Sequence, residues 1–231
     1  MTQRSGTPPS EPTKPVALEA RQSSADGRRF SPSIARNRDA VRSVFQAHMP
    51  GRGTVLEVAS GTGEHGAHIV SSSPDLFWQY SDMDADSRAS QSAWRAHSRC
   101  SAQLGMPVDL DVTSQDWPAA GVPDSIDAVF CANMVHISPI EAAVGLFAGA
   151  GRHLRPGGRL MLYGPFARQG EIAPSNAAFS ADLKRRDPAW GVRDLDEDLG
   201  PLARAAGLVR LAVIDMPANN FSVIYRKDSP V

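Results

Sequence analysis

The chain predicts an α/β fold built on a mostly parallel, seven-stranded sheet that ends in an antiparallel hairpin. Three observations carry this expectation. Short, near-continuous apolar runs alternate with helical patterns from about residue 30 to residue 166, as βαβ units do when helices cover both faces of the sheet. A glycine-bearing turn, Ser60-Gly61-Thr62-Gly63, joins the first such run to a helix. The last two runs, 208–217 and 221–227, are separated only by Ala218-Asn219-Asn220. That is too short for a parallel crossover, so those strands must pair antiparallel.

Residues 1–27 are rich in Pro, Ser, Thr and charge. They cannot bury enough apolar surface to offset ordering entropy, and are expected to form a disordered or loosely held tail. Residues 28–231 then form one domain. Ser31-Pro32-Ser33 opens a helix on which Ile34, Val41, Val44 and Phe45 recur at helical spacing. Strand 54–60, helix 63–72, strand 76–82 and helix 85–99 with Trp94 follow. Next come a short strand at 107–112, a strand running into a loop at 125–136, and a helix at 139–154 with Pro139 at its start. Arg155-Pro156-Gly157-Gly158 reads as a stop and a turn. Strand 159–166, helix 194–206 and the terminal hairpin complete the chain. With right-handed crossovers this is a Rossmann-like, doubly wound arrangement.

At 231 residues the chain is long enough for one substantial core. Its 42% hydrophobic and 21% charged content is ordinary for a globular protein. A net charge of −1 provides no basic field to gather nucleic acid. Cys100 and Cys131 are too few for a disulfide framework and lack metal-ligand spacing, so no metal is expected. A reducing cytoplasm fits this cysteine usage. No run approaches a membrane span and no signal-peptide core is visible, so no membrane partner is expected.

The glycine turn lets the backbone approach a ligand and presents unpaired N–H groups at the following helix. Glu57, at the end of the first strand, is positioned to accept an ammonium. Asp82 closes the second strand, where a carboxylate can receive both ribose hydroxyls, and Asp111 follows the third, where a carboxylate can accept from an adenine amino group. Together with the terminal hairpin, this set resembles class I S-adenosylmethionine (SAM)-dependent methyltransferases. The resemblance implies SAM as cofactor and S-adenosylhomocysteine as product, with the family's binding roles falling on Glu57, Gly61, Gly63, Asp82 and Asp111; Ala59, Ser60 and Asn133 are further candidate cofactor contacts, Asn133 equally suited to holding its loop. Ala59 departs from the motif, which has glycine there. The strings SPSIARN (31–37), EVASGTGEH (57–65), FCANMVHISP (130–139), YGPF (163–166), PSNAAF (174–179), DPAWGVRD (187–194) and MPANN (216–220) further resemble one methyltransferase-like family known only as a domain of unknown function.

Open α/β sheets bind ligands beyond the carboxyl ends of their strands. His136 is the candidate general base, its ordinary pKa of about 6.5 suiting proton abstraction, or else it orders its loop. Tyr163 is a candidate hydrogen-bonding partner of the acceptor, or a packing residue. Arg36 and Asn37 on the first helix, Asn176, Trp190 and Arg193, and Asn220 at the hairpin tip are candidate substrate contacts. His65 reads as structural or cofactor-adjacent. The expected substrate is a small molecule, with O-, N- and S-methylation all compatible. The alternatives are a SAM- or partner-binding protein without turnover and, on the GxGxxG-like spacing of Gly61, Gly63 and Gly66, a nucleotide-dependent oxidoreductase. Against the latter, Glu64 would repel a pyrophosphate. A base methyltransferase fits less well, because Asn133-Met134-Val135-His136 stands where Asp/Asn-Pro-Pro-Tyr is common.

Overall fold

A computed structural model describes residues 20–117 and 121–228. In chain order its elements are β1 (Gln22–Ser23), β2 (Arg29–Phe30), α1 (Pro32–His48), β3 (Gly53–Val58), α2 (Glu64–Val70), β4 (Leu76–Asp82), α3 (Ala85–His97), β5 (Val108–Asp109), β6 (Ile126–Ala132), α4 (Ile140–His153), β7 (Leu154–Gly164), β8 (Phe166–Ala167), α5 (Pro174–Arg186), β9 (Arg193–Asp194), α6 (Leu199–Ala205), β10 (Leu208–Met216) and β11 (Asn220–Lys227). Seven strands form one sheet in the order β10-β11-β7-β6-β3-β4-β5. The five from β7 to β5 run parallel, and β11 is antiparallel to both β7 and β10.

Both faces of the sheet are covered. Val55, Trp78, Phe130 and Met161 pack with Val41 and Phe45 of α1 and Ile69 of α2. Leu56, Val129, Leu160 and Val223 pack on the other side with Leu146 and Phe147 of α4 and Leu199 of α6. Burial on both faces explains why these strands read as continuous apolar runs.

Several bounds differ from the sequence expectation for local reasons. β6 stops at Ala132 because Asn133 turns the chain with φ 57. β7 begins at Leu154, and the expected Arg155–Gly158 turn is absorbed into the strand opposite a register shift on β6. α6 starts only at Leu199, because the Asp194 carboxylate accepts from the Asp196 and Glu197 amides and holds a loop there. β5 is a two-residue edge strand.

Of the expected tail, residues 1–19 lie outside the described residues. Residues 20–27 belong instead to the β1–β2 hairpin. Within the segment the Gly27 amide donates to the Ser24 carbonyl, Asp26 accepts from the Arg28 amide and Arg21 donates to Ser87 of α3, and the residues just beyond it dock on Trp94. The Phe30 ring meets it edge-on at 5.1 Å, the Arg28 guanidinium lies 4.9 Å from the indole centroid, and the indole N–H donates to the Arg29 carbonyl at 3.1 Å. No helix among the described residues is long and apolar enough to cross a membrane. The hairpin tip at 217–219 lies at the carboxyl end of β7, because Phe221 pairs with Gly164.

Candidate functional site

The glycine turn is closed by its own strand neighbours. Ser60 Oγ donates to the Glu57 carbonyl at 3.0 Å and accepts from the Ser81 amide at 3.1 Å. Tyr80 Oη donates to the Gly63 carbonyl at 2.8 Å, and Gln91 Nε2 to that of Gly61 at 3.0 Å. Ala59 (φ 54), Gly61 (φ 56) and Gly63 (φ 90) all take the left-handed conformation. The methyl of Ala59 therefore leaves the turn in the backbone shape a glycine would adopt. Gly63 is hemmed in, since a Cβ there would lie 3.1 Å from the Gln91 Cα. Gly61 is open, and among the described residues a Cβ on it would meet only the Arg21 guanidinium, 3.8 Å away.

Asp82 lies directly against this turn. Its Oδ2 accepts from the Gly61 amide and its Oδ1 from the Asp84 amide, both at 2.9 Å. Burial raises its pKa despite those donors. Met83, the next residue, is 57% exposed, an apolar side chain beside a charged one. Asp111 is exposed and accepts from the Thr113 amide and hydroxyl.

Glu57 is only 2% exposed. It faces α2, where its Oε2 accepts from the Trp78 indole N–H at 2.8 Å. Burial pushes its pKa up to about 8, with the nearby Asp82 charge adding to the effect. The residue expected to meet an ammonium is thus a sealed carboxyl beneath the turn. Gly66 serves packing, since a Cβ there would come within 2.4 Å of Trp78. Glu64, at the first position of α2, is buried and accepts from the Ser31 amide at 2.7 Å and the Thr62 hydroxyl at 3.0 Å.

A second group gathers after β6. His136 is 3% exposed and its Nδ1 is buried without a hydrogen-bond partner. It packs edge-on against Phe179 of α5, and its carbonyl accepts from the Gly191 amide. Gly164 leaves room beside it, since a Cβ there would stand 3.4 Å from His136 Nδ1 and 3.6 Å from Asn133 Oδ1. Burial lowers the His136 pKa to about 3, with the Arg193 charge contributing. This departs from the ordinary value expected for a base, and the ring is neutral at neutral pH. Arg193 donates to the Ser138 carbonyl at 3.0 Å and to that of Ala189, while its Nε is buried and unpartnered. Trp190 is buried beside it.

The remaining candidates fall in two further places. Tyr163 is buried on the α1 side, hydrogen-bonded to Asn37 and within the field of the exposed Arg36. Asn37 Oδ1 also meets His65 Nε2 at 3.0 Å. Asn176 donates to the Asn219 carbonyl at 2.8 Å and so ties α5 to the hairpin tip, while Asn220 bonds within the tip. Beside the tip is a cavity of about 610 Å³ lined by Phe166, Ile172, Met216, Asn220 and Phe221 among others.

The sequence reading missed Arg21, Met83, Ser87 and Gln91. A signal existed for two of them, because Ser87, Ser90, Gln91 and Trp94 share one face of α3 at helical spacing.

The family described as a protein of unknown function, DUF938, matches residues 28–227. Among solved structures, the chain is similar to an O-methyltransferase family 2 protein from Planctomyces limnophilus in complex with apigenin, at 18% identity and TM-score 0.69, covering 84% of this chain and 58% of that one. It is similar to human N-acetylserotonin methyltransferase in complex with SAM, at 14% identity and TM-score 0.67, covering 85% and 53%. It is likewise similar to CalO1, a methyltransferase in calicheamicin biosynthesis in its S-adenosylhomocysteine-bound form, at 19% identity and TM-score 0.66, covering 84% and 54%. The chain therefore spans little more than half the length of these proteins and shares their fold.

Proposed function

The chain belongs to the DUF938 family, and from that premise we propose that it is a SAM-dependent methyltransferase of a small-molecule acceptor. One observation carries the reading: the Asp82 carboxyl rests on the Gly61 amide at 2.9 Å, beside open space over Gly61. Two amides occupy part of the acceptor capacity of this carboxylate, and the lone pairs left over suit a ribose diol. Exposed Met83 is an apolar surface for a purine, and Asp111 and Asn133 border the same edge. When bound, SAM supplies an electrophilic methyl group on a sulfonium sulfur. The complexes of the solved neighbours with SAM, S-adenosylhomocysteine and apigenin support this cofactor and a small acceptor.

The chain itself contributes alignment and exclusion of water. His136 Nδ1, buried and unpartnered, is the acceptor for an O–H or N–H of the substrate. Tyr163 of β7, fixed by Asn37, and Arg36 of α1 are the proposed acceptor contacts on the α1 side. Asn176 of α5, Trp190 and Arg193 after it, and Asn220 at the hairpin tip are the proposed substrate contacts on the other side. Two unpaired cysteines support a cytoplasmic setting.

Calorimetric titration with SAM, S-adenosylhomocysteine and NADH tests the reading. Saturable binding of the first two and not the third is expected. A folded sample that binds neither sulfur compound would refute it. Glu64, buried at the start of α2 where a pyrophosphate would sit, speaks against NADH. The sealing of His136 favours one second reading, a SAM-binding protein without turnover. Intact binding with no product from any small acceptor would select it.

A further inference from the structure

The β1–β2 hairpin has no part in the reading above, yet it is clamped beside the cradle. The Arg29 amide donates to Ser90 Oγ at 2.9 Å, the Arg29 guanidinium pairs with Asp86 at 3.0 Å, and Trp94 holds the Arg29 carbonyl. These anchors all lie on α3, the helix that follows Asp82. The opposite end of the hairpin carries Arg21, whose Nη1 donates to Ser87 Oγ at 3.2 Å. Ser87 is itself fixed, its hydroxyl donating to the Asp84 carboxylate at 2.8 Å. Arg21 thus stands over Gly61, with Nη2 3.8 Å from where a Cβ would be.

We propose that Arg21 binds the methionyl carboxylate of the S-adenosyl ligand and that the β1–β2 hairpin is the strap that carries it across the site. This rests on the cofactor reading above. An S-adenosyl ligand whose ribose occupies Asp82 extends its amino-acid end over the glycine turn, and its carboxylate needs a cation there. Among the described residues the acids Glu57 and Glu64 are sealed beneath the turn, and the nearby Arg38 charge already acts on Glu64. Arg21 is exposed, holds one hydroxyl, and keeps the rest of its planar fork of donors for a carboxylate. Its charge already acts on Asp82, offsetting part of the effect of burial there. The strap therefore closes the site from the side opposite β6, and the bond to Ser87 holds Arg21 over the turn.

The test compares two ligands on the full chain by calorimetry: S-adenosylhomocysteine, and 5′-methylthioadenosine, which has the same nucleoside but no carboxylate. Arg21→Ala should weaken S-adenosylhomocysteine about tenfold and leave 5′-methylthioadenosine unchanged, with Arg21→Lys recovering part of the loss. Arg21 is exposed, so the melting temperature should not move. An equal loss for both ligands would assign Arg21 to Asp82 and the ribose, and would overturn the proposal. Unchanged affinity for both would overturn it as well, while leaving the cofactor reading intact. If the wild-type chain binds neither ligand, the cofactor reading itself fails.

Discussion

The carboxyl edge of the sheet has two unlike halves. Over β3 and β4 the glycine turn, Asp82 and Met83 form an open cradle whose polar groups are already bonded to one another. Over β6 and β7 the polar groups are sealed, and two of them, His136 Nδ1 and Arg193 Nε, are buried without a partner. A buried donor or acceptor left unmade costs roughly 1–3 kcal/mol. The first half is thus preformed for a ligand, whereas in the second a ligand would satisfy atoms the protein leaves wanting. On the proposed function the first half would bind the cofactor and the second would serve turnover, and each variant below acts on one half.

The largest effect belongs to the sealed half. His136→Ala should lower kcat by about 100-fold or more while S-adenosylhomocysteine affinity stays near wild type. A steady-state assay paired with calorimetry checks this, and a parallel loss of affinity would erase the division. Next comes the open half, where Asp82→Ala should weaken S-adenosylhomocysteine on the order of 100-fold, for two charge-assisted hydrogen bonds lost. Unchanged affinity there would remove the cradle from the cofactor site.

Stability against pH sharpens the same contrast with smaller effects. Glu57, raised to about 8, holds a proton in the folded chain that the unfolded chain releases near 4.5. Its contribution is full below that value and is lost as pH climbs through about 8. His65 and His136, lowered to about 4 and about 3, behave oppositely. Their contribution is present above about 6.5 and is lost as pH falls through their folded values. Two groups gain while one loses up to pH 6.5, and only the loss continues beyond it. Melting temperature should therefore peak near pH ~6.5 from these groups, and Glu57→Gln should flatten the alkaline limb while steepening the rise between about 4.5 and 6.5. The smallest effect is at Ala59. Releasing its left-handed strain with Ala59→Gly should stabilise the fold by about 0.5–1 kcal/mol, read from denaturant midpoints.

The cradle was legible because its parts are local. Ser60, Gly61 and Gly63 sit in one turn, and Asp82 ends the strand that pairs beside it, so alternating apolar runs suffice to bring them together. Residue type alone did not reveal burial. Glu57 stands between Leu56 and Val58 in a strand covered on both faces, a pattern that already implies a sealed acid. The placement of segment 20–27 was not legible for a related reason: its own composition is poor in apolar groups, and its tie to α3, from Arg21 to Ser87, spans 66 positions of chain.

The sequence by itself determined the α/β class, the order of strands and helices, the terminal hairpin and the place of the glycine turn, because those depend on short-range periodicity and on connection length. Only the tertiary structure decided which polar groups meet across the chain. Arg21 over Gly61, Asn37 between His65 and Tyr163, and His136 sealed against Phe179 of α5 are contacts between residues dozens of positions apart. Burial and protonation there are set by packing around a group, which no local pattern encodes.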